Sequence, residues 1–330
     1  MHPTVSVVMC TYNGAAYLEE QWDSITSQTH VPLEIVVCDD GSTDGTWQLL
    51  KSLAKRTSIP VRLIQNADNL GFIRNFEKAI SEGKGELLAL ADQDDIWDPQ
   101  KLAVAAAAFQ ADDALLLFFS DAAMIDDNGT SLGFTAWHCV GLENHWQALN
   151  AGEERRRLWV IHTVTGATIV MSRKLRPLAL PFPDELLEPG SWHIHDGWLA
   201  AVAATCGNIR GEPKSLVQYR RHSNQVLGLS LPDGRIIRVS RDHIIERELL
   251  KTQPLVTHCS VLLREGYVSD TKGSSIHLLL AYNHHLQNRM SARSAPWRQR
   301  LLIVLKESAA GNYSRFSRGS RSALIDLLRR

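Results

Sequence analysis

Residues 33–55 read LEIVVCDDGSTDGTWQLLKSLAK, and this stretch decides the fold. It opens with an apolar, β-branched run, passes through a turn rich in Asp, Gly, Ser and Thr, and ends in a helical pattern from about Thr43 to Lys55. Ser42, Thr43 and Asp44 supply helix-start side chains. The same unit recurs on both sides. Upstream, VSVVMC (5–10) precedes a helix near Ala15 to Ser27; downstream, VRLI (61–64) precedes one near Phe72 to Glu82. ELLALA (86–91) then leads to a helix starting around Pro99, a residue suited to a first helical turn. Repeated strand–helix units predict an α/β fold, a mainly parallel sheet with helices on both faces.

Open α/β sheets bind ligands at the carboxyl ends of their strands. The polar loops fall there: TYNG (11–14), DDGSTDG (39–45), NADNLGF (66–72) and DQDD (92–95). Their convergence would bring Asn13, Asp40, Asn69 and Asp94 to one crevice. After Ser120 the pattern loosens, with a strand expected around Ala167 to Met171, a helix from about His195 to Thr205, and a strand at SLVQY (215–219). Helical periodicity dominates from Arg241 onward. The boundary is placed near residue 230, giving a catalytic domain over 1–230 and a helical basic region over 231–330.

The 330 residues are 44% hydrophobic and 22% charged, enough for a sizeable core and unlike a disordered chain. Five scattered cysteines without a CxxC pair argue against a disulfide framework or a zinc cluster and fit a reducing cytoplasm. No apolar run approaches a membrane span, so the expectation is a soluble chain or one peripheral to the inner face of the cell membrane. The net charge of -1 conceals a gradient. Residues 1–150 hold 8 Lys/Arg against 21 Asp/Glu, a balance of -13, whereas residues 289–330 hold 10 against 2, a balance of +8.

Neither GxGxxG nor GxxxxGK[ST] occurs, so the dinucleotide and ATP fingerprints are missing. A bound nucleotide diphosphate would then need its charge offset by a divalent metal. Asp92, Asp94 and Asp95 offer hard oxygen ligands for Mg²⁺ or Mn²⁺; the competing reading is a solvated acidic loop before a helix. The adjacent Asp39 and Asp40 leave two readings as well. They form either a plain strand-to-helix turn or a pair whose repulsion is eased by a base or ribose.

The segments VSVVMCTYNG, EIVVCDDGSTDGT, NLGFIRNFEKAI and ALADQDDIWDPQKL resemble the nucleotide-sugar domain of family two glycosyltransferases, and HIHDGWLA and QYRRHSNQVLG extend the likeness in the correct order over about two thirds of the chain. The resemblance implies a GT-A fold and inverting transfer from a nucleoside diphosphate sugar. It places Tyr12 and Asp40 at the nucleobase, and Arg74 and Asn75 at the diphosphate or ribose. Asp92 and Asp94 match the DxD carboxylates, with Asp94 on the metal, and His222 matches a late-loop metal ligand. Arg220 and Arg221 beside it would face the diphosphate, with Tyr219 to Asn224 closing over the donor.

Asp196 matches the general base that deprotonates the acceptor hydroxyl, against the plainer reading of a helix cap beside buried Trp198 and Leu199. The implied acceptor is a lipid-linked glycan or growing cell-surface polysaccharide, and likeness to rhamnosyltransferase-like members in YRRHSNQVLG and HDGWLA suggests a dTDP-rhamnose donor. Two rival functions stand beside it: a metal-dependent nucleotide-sugar hydrolase using His193, His195 and Asp196, and a non-catalytic assembly subunit. His284 and His285 are read as structural. The tail from Ser294 interleaves Trp297, Leu301, Leu302, Ile303, Leu305 and Phe316 with arginines, as an interfacial helix on anionic headgroups would. Packed helices with a solvated basic face are the alternative. With an acidic first half and no nucleic-acid motif, nucleic acid is not expected as a partner.

Overall fold

The computed structural model describes residues 2–161, 163–188, 191, 194–222, 225, 241–269 and 274–328. The chain divides into two compact units, Met1–Asp233 and Gly234–Arg330.

The first unit begins with the expected alternation: β1 (Val5–Thr11), α1 (Leu18–Thr26), β2 (Glu34–Asp39), α2 (Thr46–Ala54), β3 (Val61–Gln65), α3 (Gly71–Glu82) and β4 (Leu87–Ala91). β1, β2 and β4 are buried along their whole length, which is why they read as unbroken apolar runs rather than alternating ones. The helix expected at Pro99 starts two residues later. A two-residue strand, β5 (Ile96–Trp97), comes first, and α4 (Lys101–Ala111) follows, while the Pro99 carbonyl accepts the Thr29 N–H. β6 (Leu115–Ile125) and β7 (Ser131–Thr135) lead into short helices α5 (Ala136–Val140), α6 (Trp146–Asn150) and α7 (Arg156–Val160).

β8 (Val170–Ser172), α8 (Arg176–Ala179), α9 (His195–Cys206) and β9 (Asn208–Arg220) complete this unit. The strand expected over Ala167–Met171 is mostly a single 3₁₀ turn, Gly166–Thr168, before β8. The nine strands form one sheet in the order β3-β2-β1-β4-β8-β6-β9-β5, with β7 on β6. β1 is parallel to both β2 and β4, and β2 to β3, so their carboxyl ends lie along one edge. β8 runs antiparallel to β4 and β6, while β9 pairs in parallel with β6 through register shifts. The mainly parallel α/β sheet with flanking helices is thus present, extended by antiparallel additions that a short sequence window does not reveal. Trp22 and Ile25 of α1 and Leu50 and Leu53 of α2 pack with β1 and β2 in one apolar core.

The second unit consists of α10 (Arg241–Arg264), α11 (Ser275–Ser294), α12 (Trp297–Ala309), α13 (Asn312–Phe316) and α14 (Ser320–Leu328). Its interior is unusually polar. Asp326, fully buried, accepts bonds from Arg289 Nε (2.6 Å), Arg293 Nη2 (3.0 Å) and the Tyr313 hydroxyl (3.0 Å). His285 is also fully buried, between Glu307 and Ser317.

Candidate functional site

At the carboxyl edge the four loops brace one another. Asp39 accepts from Thr11 Oγ1 (2.9 Å), the Ser42 hydroxyl and N–H, and Gln65 Nε2. Asp40 accepts from Asn66 Nδ2 (2.7 Å) and the N–H groups of Leu70 (2.8 Å) and Gly71 (2.9 Å). The protein's own donors therefore ease the repulsion between these neighbours, and the Asp39–Asp40 pair joins three loops. Gly41 turns the chain between them and the next loop at φ +77°, where a side chain would be strained.

Asn13 adopts φ 50° and holds the second loop, its Oδ1 accepting the Thr43 N–H at 2.8 Å and its own N–H donating to Ser42 Oγ. Asn69 is exposed, with Nδ2 on the Asp40 carbonyl. Arg74 and Asn75 turn elsewhere. Arg74 pairs with Glu77 and Asp184 and donates to the Phe182 carbonyl, while buried Asn75 bonds the Cys38 carbonyl and Asn66. Their expected approach to a diphosphate or ribose is not what these contacts present, because a helix places successive side chains about 100° apart and Arg74 faces the Asp184 side.

Tyr12 is 45% exposed, with its main chain clamped by Gln93 through an N–H to Oε1 bond (2.8 Å) and an Nε2 to carbonyl bond (3.1 Å). Its ring is free to face a ligand. No such role for Gln93 is legible in the sequence, because its partner Tyr12 stands 81 positions away.

The charged centre lies beside this clamp. Asp95 is buried, one oxygen accepting the Arg220 N–H at 3.0 Å and the other, Oδ2, without a hydrogen-bond partner among the described residues. Burial, then Asp94 and Asp196, raise the Asp92 carboxyl to about 7; burial, Asp94 and Asp92 likewise push Asp95 up. The nearby basic group is Lys101, fully buried, its Nζ 3.5 Å from the Trp97 ring centroid and bonded to the Ala167 carbonyl; burial pushes its pKa well down, against the pull of Asp95 and Asp92. Burial and crowding of these carboxyl groups beside one buried lysine disfavour their ionised forms, a cost that a bound cation would relieve.

His222 Nε2 lies 2.7 Å from Asp94 Oδ2. The two residues named as metal ligands are thus together, and the His222 ring is mostly buried, its side chain 5% exposed. Among the described residues no group of three His, Cys, Asp or Glu side chains forms a closed metal site. A divalent ion nevertheless suits this donor set: a carboxylate and an imidazole beside further acids whose ionised forms a cation would favour, with other positions left for diphosphate oxygens or water.

Tyr17, which the sequence did not single out, and Arg220, which it did in another role, position this pair. The Tyr17 ring packs on His222 (centroids 4.8 Å apart) and its hydroxyl donates to Asp127, while the Arg220 guanidinium covers the same ring at 4.9 Å. Arg220 is 2% exposed and donates to the carbonyls of Asp94 (2.9 Å) and Asp127 (3.0 Å) and to Glu20. It fastens the metal loop to α1 and the β6–β7 turn rather than facing a diphosphate, which departs from the expectation for it. Arg221 is half-buried; burial raises the Cys139 thiol, and the Arg221 charge offsets part of that rise. Tyr17 carried no sequence signal, since its partners stand 110 and 205 positions away.

Asp196 stands in the first turn of α9 and is buried, Oδ2 accepting the Gly166 N–H (2.9 Å) and Oδ1 the Gly197 N–H (2.6 Å). Ile194, not Asp196, occupies the N-cap position. Asp196 thus serves a first-turn N–H and also reaches across to Gly166, beyond what an N-cap position alone provides. The approach at Gly166 is close: a Cβ there would sit 3.0 Å from His195 Nε2, so the imidazole would have to yield by a few tenths of an ångström. The His195 ring stacks on Phe76 at 4.2 Å; His193, its partner in the hydrolase reading, lies outside the described residues, as do Ser223 and Asn224 of the expected closing segment.

Residues 6–176, just over half of the chain, match the family model described as Glycosyl transferase family 2. An uncharacterized glycosyltransferase of Nostoc sp. is 28% identical over 220 residues, covering 66% of this chain and 65% of that protein. The chain thus matches slightly less than two thirds of that relative's length. Among solved structures, S. aureus TarS in complex with UDP-GlcNAc superposes with a TM-score of 0.52 at 19% identity, covering 98% of this chain and 89% of that one. The mannosyltransferase from Pyrobaculum calidifontis in complex with GDP-Man and Mn²⁺ gives 0.50 at 18% identity, covering 99% and 86%. These likenesses show a GT-A fold.

Proposed function

The chain belongs to glycosyl transferase family 2, and from that premise we propose that it transfers a sugar from a nucleoside diphosphate donor to a hydroxyl of a lipid-linked glycan or growing cell-surface polysaccharide, with inversion. The observation that carries the reading is the Asp94–His222 pair, 2.7 Å apart inside a cluster of acidic side chains at the carboxyl edge of the sheet. Asp94 and His222 hold Mg²⁺ or Mn²⁺. When bound, the ion offsets charge on the departing diphosphate.

The remaining assignments follow from where side chains are committed and where they are open. The exposed Tyr12 ring stacks on the base, its loop fixed by Gln93 and by Asn13, Asp40 and Asn69. Arg221 meets the diphosphate, while Arg220 and Tyr17 hold Asp94 and His222 in place. Asp92 tunes the charge around Asp94. Asp196, its carboxylate oriented by two N–H donors, takes the acceptor proton as the acceptor oxygen bonds to the anomeric carbon and the bond to the diphosphate oxygen breaks. The donor we favour is dTDP-rhamnose, supported by the likeness of HDGWLA and YRRHSNQVLG to rhamnosyltransferase-like members.

Calorimetric titration with dTDP-rhamnose, UDP-GlcNAc and GDP-mannose in Mn²⁺ and in EDTA tests the metal and donor assignments together. Binding should weaken at least tenfold on chelation, and Asp94→Ala should weaken it equally. Equal affinity in EDTA and Mn²⁺ would remove the metal from Asp94 and His222; preference for another donor would replace rhamnose and leave the rest intact.

A further inference from the structure

Residues 274–328 contain only two acids, Glu307 and Asp326, and both are turned inward. Glu307 pairs with His285 and accepts from Asn288 and Asn312; Asp326 is held by Arg289 and Arg293. These internal pairings neutralise the acids without covering the other cations. Arg298 and Lys306 on α12, and Arg315, Arg318 and Arg321 beyond it, remain exposed. The described outer surface of this segment is therefore cationic with no exposed carboxylate.

The same surface carries large apolar side chains. On α12, Val304 and Glu307 face inward, which turns Leu302 (59% exposed) and Leu305 (56%) outward, flanked by Arg298 and Lys306. On α14, Ser322 and Asp326 face inward, and Leu324 (54%) and Leu328 (63%), four residues apart, face outward with Arg321. Two helices thus expose paired leucines bordered by basic side chains. No helix among the described residues is long and apolar enough to cross a membrane.

We propose that the outer faces of α12 and α14 form a docking surface for an anionic lipid bilayer, with the leucines entering the headgroup region and the arginines and lysine meeting lipid phosphates. Charge complementarity selects an anionic occupant, and exposed aliphatic pairs favour lipid over nucleic acid, whose phosphates would gain nothing from leucine. This reading deepens the proposed function by placing the enzyme where a lipid-linked acceptor lies, yet it stands on surface residues outside the donor site.

Flotation of the full-length protein with vesicles of phosphatidylcholine, alone or with 30% phosphatidylglycerol, is the test. Binding should be at least tenfold stronger to the anionic vesicles and should fall steeply in 0.5 M NaCl. The triple variant Arg298→Gln, Lys306→Gln, Arg321→Gln should lose about a hundredfold in apparent affinity, and Leu302→Ser with Leu305→Ser about tenfold. All five positions are exposed, and unchanged melting curves would show that the variants fold. Equal binding to neutral and anionic vesicles, or no loss in either variant, would overturn the proposal. So would tighter binding to a DNA duplex than to vesicles, or light scattering showing that this face is covered by a second copy of the chain. Transfer to a soluble acceptor should be the same in both variants, so failed flotation with intact transfer would reject the surface alone.

Discussion

Buried acids occur in both units, and their surroundings are opposite. Asp326 of the helical unit is fully enclosed and held by two arginines and a tyrosine, whereas buried Asp95 and half-buried Asp92 of the α/β unit repel each other and Asp94, beside a buried lysine whose own charge burial disfavours. A buried charge with its partners built in is part of the scaffold. One whose partners are other anions costs stability that a bound cation can recover, and such a cluster marks a binding site.

The sharpest test of that contrast is to remove one acid from each unit. Asp326→Ala should destabilise the helical unit by about 3–5 kcal/mol, because it strands Arg289 and Arg293 in a buried site. Denaturant unfolding of the full chain would register it, and a loss below about 1 kcal/mol would mean the ionic network is not what holds these helices.

Asp196→Asn probes chemistry rather than charge balance. Turnover should fall about a hundredfold or more with donor affinity kept. The new amide NH₂ must oppose either the Gly166 or the Gly197 N–H, so a stability loss of about 1–2 kcal/mol should accompany it. Transfer at the parental rate would move the base elsewhere, with His195 the next residue to test.

Asp92→Asn should do the reverse of Asp326→Ala and stabilise the metal-free protein. The Asp92 carboxyl is raised from 3.8 to about 7, so the folded state keeps its proton and loses stability as pH climbs through that range. The advantage of the variant should therefore grow from about pH 4 to about pH 7 and then level off. A gain on the order of 2 kcal/mol is expected at the plateau, read from melting curves in EDTA. A gain that does not change with pH would show that Asp92 is not held protonated.

The smallest effect is expected at Tyr17. Replacing its ring by Leu should weaken Mn²⁺ binding to the nucleotide complex about tenfold through His222, leaving the fold intact, while Tyr17→Phe keeps the stack and should lose less. Identical Mn²⁺ affinity in both variants and the parent would reduce Tyr17 to packing.

What the sequence determined by itself is what local pattern encodes. The strand–helix alternation of residues 5–111 follows from hydrophobic runs and turn formers, and the polar loops must then gather at one edge because parallel strands point the same way. The Asp94–His222 partnership was accessible through motif likeness, although 128 positions separate the two residues. Tertiary structure decided the rest. That Asp40 is held by three internal donors, that Arg220 fastens the Asp94 loop, and that the two tail acids sit within the helices all depend on contacts between distant segments. Sequence shows which charges a chain carries; the fold sets the distances between them and their access to water, and those two quantities decide whether a charge supports the scaffold or awaits a ligand.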